Sequence, residues 1–129
     1  MLLSLLILSG CSFKHYSDKS EDYMNDYEVI RKTSMGDFQI MINCDMDNLK
    51  SEETINKDIQ EKIDEINKYE FYTKEGSDVH NLYCKYIREY YKALKDKDTK
   101  KIKDMEKDYE DKLNIFYDKC NAVWDEDVD

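Results

Sequence analysis

Proline is absent from this chain of 129 residues, and glycine occurs only three times. Proline breaks helices and glycine weakens them, so their scarcity removes the usual interruptions of helical structure. Charged residues make up 39% of the chain and hydrophobic residues 40%, which leaves enough apolar side chains for a small core. This composition predicts an all-α fold.

The sequence also contains little that would support catalysis. It has two histidines. It lacks the paired histidines of zinc proteases, the nucleophile elbow of hydrolases and the glycine-rich loop that binds phosphate. Its 30 acidic residues pair in many places, so no pair of carboxylates stands out. We therefore expect no enzymatic activity and no cofactor.

Positive charge is in short supply. Twenty Lys and Arg residues stand against 30 acids, which gives a net charge of −10. Binding of nucleic acid needs a basic face to neutralise phosphates, so we expect no nucleic-acid partner. The same charge disfavours direct contact with anionic lipid headgroups. Association with a membrane would therefore need an anchor.

A short apolar run, interrupted only by Ser4, covers residues 2–8, and no charge precedes Lys14. A membrane-spanning helix needs roughly 20 apolar residues, so this run is too short to cross a bilayer. It matches the apolar core of a secretory signal, which has about 7–15 residues. Small residues suited to cleavage follow at Ser9 and Gly10.

The segment Leu8-Ser9-Gly10-Cys11 resembles the lipobox of bacterial lipoproteins. The resemblance covers the first 11 residues and says nothing about the rest of the chain. It implies that Cys11 carries a diacylglyceryl group, with palmitate among its possible acyl chains, and that the signal is cut just before it. No Lys or Arg occurs in residues 1–10, where signals usually carry one, so a start upstream of Met1 stays open. Two acyl chains anchor stably, so the resemblance implies a protein on the extracytoplasmic face of the cell membrane.

We expect four regions in the chain. They are a signal peptide at 1–10, a lipidated Cys11 with a polar tether at 11–20, a helical bundle at 21–124 and an acidic, solvated tail at 125–129. Ser20 followed by Glu21 and Asp22 predicts the start of a helix, because a hydroxyl caps the end and acids favour its positive pole.

Apolar spacing of three and four residues predicts a first helix over 21–47, although Gly36 could interrupt it. Ser51 predicts the start of a second helix, whose stripe repeats isoleucine from Ile55 to Ile66. Gly76 is the expected left-handed residue after that helix.

Ser77 and Asp78 predict the cap of a third helix, with an apolar stripe that continues to Leu94. A fourth stripe runs from Ile102 to Val123, and residues 95–101 between the two contain no apolar side chain. At about 100° per residue the two stripes are out of phase by roughly 110°, so we predict a turn near 96–100. The rival is one long helix over 77–124. The pattern favours a small antiparallel bundle of four helices, or of three with a looser N-terminal arm.

Three cysteines remain if Cys11 is lipidated. A bridge between Cys84 and Cys120 stays open, although a turn near residue 98 would leave them at heights roughly 10 Å apart. Cys44 is then the expected free thiol. His80 and Cys84 are neighbours on one helix face, as zinc ligands can be, but boundary packing is the preferred interpretation, and we expect no metal site.

Aromatic residues outside the apolar stripes are the candidates for contact with a partner. Exposed aromatics are favoured at interfaces. We assign this role to Phe71, Tyr72, Tyr91 and Trp124. The expected function is non-enzymatic protein binding at the membrane surface. The alternative is a small-ligand or ion-binding module with a pocket between helices, which would require a cavity with convergent polar groups such as His80.

Overall fold

The computed structural model describes residues 15–128, so the signal peptide, Cys11 and Asp129 lie outside the described residues. Five helices make up this part of the chain: α1 Ser20–Ile30, α2 Met35–Asp47, α3 Glu52–Ile66, α4 Lys74–Lys95 and α5 Thr99–Val128. No strand occurs between residues 15 and 128. None of the five helices combines the length and apolar character that crossing a bilayer requires. The all-α prediction is confirmed.

The two longest helices, α4 and α5, form an antiparallel hairpin that organises the bundle. Helix α1 packs against both of them, while α2 and α3 pack on α4. The turn lies at 96–98, where Lys97 adopts a φ of 55°. Two hydrogen bonds close it, from the Lys97 N–H to the Leu94 carbonyl and from the Asp98 N–H to the Ala93 carbonyl. The predicted turn is confirmed, and the single long helix is wrong.

The predicted first helix is divided in two, and the break precedes Gly36. Both the N–H and the hydroxyl of Thr33 bond to the Ile30 carbonyl, which ends α1. Ser34 has extended backbone and its hydroxyl accepts from the Asp37 N–H, which starts α2. Gly36 lies inside α2. The expectation of one helix over 21–47 is therefore wrong, because a threonine and a serine compete locally for backbone bonds.

The start of α4 also differs from the prediction. The cap is Thr73, whose hydroxyl accepts from the Gly76 N–H, so the predicted cap at Ser77 and Asp78 is wrong. Gly76 does not have a positive φ, and the helix contains it. Within the described residues, Leu49 and Lys97 take the left-handed conformation instead. At the other predicted starts, Ser51 does cap α3, whereas Ser20 is the first residue of α1 after Lys19.

The predicted stripes line the core. The isoleucines of α3 and the inward residues of α4 and α5 are buried, as is Phe38 of α2. Aromatic rings fill much of the centre: Phe38 packs edge-on against Tyr90, with their centroids 6.3 Å apart, and Tyr23 of α1 stacks near Phe116 at 6.3 Å. The bundle interior is thus occupied by its own side chains.

Both ends of the bundle differ from the expected boundaries. Helix α5 continues to Val128, past residue 124 where the acidic tail was expected to begin. The segment before α1 is fixed to the bundle: the Ser17 N–H donates to the Tyr72 carbonyl at 2.8 Å, and the Tyr16 hydroxyl donates to Ser77 Oγ at 3.4 Å. Part of the expected tether therefore lies against the loop before α4.

Candidate protein-contact site

The four aromatic residues predicted to contact a partner do not form one patch. Phe71 and Tyr91 are buried, with 5% and 6% of their surface exposed, so the expectation that they are exposed is wrong. The Phe71 ring packs between Tyr69 and His80, with both ring centroids 4.8 Å away. Tyr72 is 48% exposed, and Trp124 is half-buried. A partner contact stays a prediction for these last two.

Trp124 belongs to a cleft between α1 and α5 that we call the aromatic cleft. Its volume is about 310 Å³, and it is open to solvent. Its lining consists of Tyr27, Tyr117, Cys120, Asn121 and Trp124.

Tyr27 stands at the centre of three half-exposed rings. Its centroid lies 5.6 Å from Tyr117 and 5.5 Å from Trp124, at interplanar angles of 62° and 83°. Such edge-to-face pairs add about 0.5–1.5 kcal/mol beyond the area they bury. The Trp124 indole N–H donates to the Ser20 carbonyl at 3.4 Å, which ties the ring to the start of α1. The cleft is therefore pre-formed.

The helical repeat of α5 explains why these residues meet. Phe116, Cys120 and Val123 form the buried row. Tyr117, Asn121 and Trp124 follow each of them by one residue, so they form a second row beside the core. Neither Tyr27 nor Tyr117 is among the residues predicted from the sequence to contact a partner. The parallel row on α5 is the signal in the sequence that could have identified this face.

The two segments that contribute the aromatic cleft are rich in acids, although no acid lines the cleft itself. Helix α1 carries four acids and no base, and residues 114–126 carry three acids and one base. These two segments account for most of the net charge of −10. On α5, exposed Asp118 and Asp125 lie three residues before and four residues after the cleft residue Asn121, on the neighbouring turns of the same face.

Larger depressions elsewhere on the bundle have a different character. The depressions beside Lys85, Tyr86 and Lys62 measure about 350, 320 and 330 Å³. Each is lined by at least one lysine together with acids and by one aromatic ring at most. Mixed charge and few rings make these surfaces typical of solvated helix faces.

Cys120 forms the apolar floor of the aromatic cleft. Only 1% of its surface is exposed, and burial raises the pKa of its thiol to about 12. The thiol is therefore neutral at physiological pH and a poor nucleophile. Cys44, Cys84 and Cys120 are all free thiols. Because Tyr83 packs against Tyr109, Cys84 lies at about the level of residue 108 of α5. Cys120 lies about 18 Å further along that helix, beyond the reach of a bridge.

His80 and Cys84 face the end of α3. The His80 Nε2 lies 2.8 Å from Asn67 Oδ1 and 3.7 Å from Cys84 Sγ. Burial lowers the pKa of His80 and raises the pKa of Cys84. Between residues 15 and 128, no three His, Cys, Asp or Glu side chains are grouped so that they could hold a metal ion. The third neighbour of this pair is an amide, which fits boundary packing.

A buried carboxylate joins α1 to the start of α4, and we call it the Asp26 hub. Asp26 is fully buried, and its Oδ1 accepts from the Tyr69 hydroxyl at 2.7 Å and the Tyr72 N–H at 3.2 Å. Its Oδ2 accepts from the N–H and the hydroxyl of Thr73, at 2.8 and 2.6 Å. Burial, followed by the bond to Asp26, raises the pKa of Tyr69. With every oxygen saturated and no access for solvent, the hub is a structural lock.

Comparison of the chain with protein-family models, with curated proteins and with solved structures finds no match.

Proposed function

We propose that this chain is a lipid-anchored protein of the outer face of the membrane that binds another protein, without catalysis, through the aromatic cleft. The observation that carries the proposal is the convergence of Tyr27, Tyr117 and Trp124 in one open, pre-formed cleft. Interfaces are enriched in aromatic side chains, and rings held rigidly lose little conformational entropy on binding.

The filled interior supports protein binding over the small-ligand alternative. Core rings and isoleucines from the five helices occupy the centre of the bundle. His80, the polar group on which a ligand pocket would depend, is hydrogen-bonded to Asn67 and stacked on Phe71. A partner therefore has to bind at the surface, where the aromatic cleft offers the most apolar rings.

The fixed segment before α1 supports a position close to the membrane. Ser17 is held against the loop before α4, and Tyr16 is held against the first turn of α4. Cys11 precedes Tyr16 by five residues, which span at most about 18 Å when extended. A lipid on Cys11 would thus place the end of the bundle that carries Ser20 and Trp124 near the bilayer. The polar tether would then keep the bundle within a short distance of the membrane.

Replacement of Cys11 tests the anchor. The substitution Cys11→Ser should abolish labelling with radioactive palmitate and move the protein from the membrane fraction to the soluble fraction. Cys44→Ser, at an exposed thiol, is the matched control and should leave both unchanged. Unchanged labelling and membrane retention in Cys11→Ser would refute the lipid anchor.

Site-specific photo-crosslinking in intact cells tests the binding site. A photo-reactive residue at Asn121, in the aromatic cleft, should give a discrete crosslinked band that the additional substitution Tyr117→Leu removes. The same probe at Asn56, exposed on α3, should not give that band. Equal crosslinking from both positions, or no protein crosslink at Asn121, would contradict protein binding through the aromatic cleft.

A further inference from the structure

The charge of the bundle is concentrated at the aromatic cleft. The two segments that form it, α1 and residues 114–126, together contain seven acids and one base, Lys119. One of these acids, Asp26, is fully buried and hydrogen-bonded within its hub, so it does not face the cleft. These segments carry −6 of the net charge of −10. The field at this end of the molecule therefore attracts cations.

The arrangement around Asn121 matches one cationic side chain in particular. Arg is a planar cation that stacks on aromatic faces and pairs with carboxylates through two parallel hydrogen bonds. The aromatic cleft offers three rings and, on the adjoining turns of α5, the carboxylates of Asp118 and Asp125. Lys can satisfy the charge but lacks the flat face, so the site distinguishes the two.

The size of the aromatic cleft favours a polypeptide over a free small molecule. Sites for small molecules are about 300–1,000 Å³ and enclose most of the ligand. At about 310 Å³, and open on the solvent side, this cleft suits a side chain that projects from a larger partner.

We propose that the occupant of the aromatic cleft is an arginine-containing basic segment of the partner protein, with a guanidinium stacked on the rings and paired with Asp118 or Asp125. This rests on the proposed function, since it names the chemistry of the partner that the cleft binds. Two interactions then contribute to the affinity. Stacking of the guanidinium on the rings is specific for Arg. Attraction to the carboxylates is shared with Lys and is weakened by salt.

The single tryptophan of the chain gives a direct readout, because Trp124 lines the aromatic cleft. The full-length protein, purified in neutral detergent, is titrated with the synthetic peptides RGSRGSRGS and KGSKGSKGS while tryptophan emission is recorded. We expect the Arg peptide to change the emission and to bind about 5-fold more tightly than the Lys peptide.

Two variants separate the two interactions. Tyr117→Leu should reduce affinity for the Arg peptide to that for the Lys peptide, whereas Tyr72→Leu, at an exposed ring outside the cleft, should not. Asp118→Asn combined with Asp125→Asn should weaken both peptides about 5-fold at low salt. Removal of the same charge at exposed Asp104 and Glu110 should change affinity less than 2-fold. If Tyr117→Leu loses its helical circular dichroism, the double substitution at exposed Asp118 and Asp125 still tests the proposal.

Four results would overturn the proposal. Equal affinity for the Arg and Lys peptides with no effect of Tyr117→Leu would show charge attraction alone. An equal loss from the Asp104 and Glu110 control would remove the role of Asp118 and Asp125. A shift of emission by phosphatidylcholine vesicles in place of the Arg peptide would identify a lipid headgroup as the occupant. A partner peptide crosslinked at Asn121 and containing no Arg would refute this inference while the proposed protein binding stands.

Discussion

Removal of the Asp26 carboxylate should destabilise the bundle more than any exposed substitution. Asp26→Ala leaves four donors without an acceptor at a fully buried position. A hydrogen bond to a charged group contributes about 1.5–3 kcal/mol, and contributions within one network are not additive. We expect a loss of about 4 kcal/mol in the free energy of unfolding. At about 4 °C per kcal/mol for this chain length, Tm should fall by about 15 °C.

Asp26→Asn separates hydrogen bonding from size. Each carboxylate oxygen accepts one backbone N–H, from Tyr72 at 3.2 Å or from Thr73 at 2.8 Å. An amide nitrogen must face one of these donors in either orientation. The hydroxyls of Tyr69 and Thr73 can rotate to accept, but the backbone cannot. We expect the amide to turn toward the longer bond at Tyr72 and to cost about 2 kcal/mol.

Urea unfolding followed by circular dichroism at 222 nm measures both changes. Asp104→Asn, at an exposed position on α5, is the control and should change stability by less than about 0.5 kcal/mol. If Asp26→Ala lowered stability by less than about 1 kcal/mol, the hub would not be the lock between α1 and α4 that its geometry indicates.

Three further predictions concern the glycines, the thiols and His80. Gly76→Ala should destabilise the bundle, because the added Cβ would lie 2.7 Å from both Asp26 Oδ2 and Thr73 Oγ1. Gly36→Ala should stabilise it by up to about 1 kcal/mol, because there the Cβ would lie 3.7 Å from Ser34 Oγ. Thermal unfolding of the two variants measures both effects. In a Cys11→Ser background, Ellman's reagent should react first with exposed Cys44. It should react with Cys120 only after unfolding, because burial raises the pKa of the Cys120 thiol to about 12. Rapid labelling of Cys120 in the folded protein would contradict its burial. Since burial lowers the pKa of His80, the unfolded state takes up a proton more readily, so the contribution of this residue is complete above the unfolded pKa of about 6.5 and is lost as pH falls below it. His80→Gln should therefore lose less Tm between pH 7.5 and 5.5 than the parent protein, and an identical pH dependence would refute this assignment.

The sequence predicts the helices best where one face repeats over several turns. The isoleucines of α3 recur every three or four residues, so their shared face follows from the geometry of the helix. The phase shift between the α4 and α5 stripes places the turn, because two faces about 110° apart cannot reach one core from a straight helix. Neither conclusion requires knowledge of a contact between helices.

The helix breaks are less accessible to such reasoning. The break between α1 and α2 rests on bonds that span three residues, from the Thr33 hydroxyl to the Ile30 carbonyl and from the Asp37 N–H to Ser34 Oγ. The same residues also fit an uninterrupted helix, because Ser and Thr side chains can bond to the backbone inside helices as well as at their ends. The start of α4 depends on Thr73, a residue fixed by a carboxylate 47 positions earlier. From the local sequence, a helix start at Ser77 is as acceptable as one at Thr73. The hydrogen bonds of the Asp26 hub select Thr73.

The properties of the candidate site also differ in how far the sequence predicts them. Charge and periodicity are local properties, so composition and pattern are enough to predict an acidic, helical chain with amphipathic faces. The packing of the helices determines that Phe71 and Tyr91 are buried, while Trp124 is half-exposed beside Tyr27. Burial of an aromatic ring depends on which helix packs against it. The antiparallel packing of α1 on α5 brings Tyr27 together with Tyr117 and Trp124 in one cleft. Ninety residues separate Tyr27 from Tyr117, so no local stretch of sequence contains both.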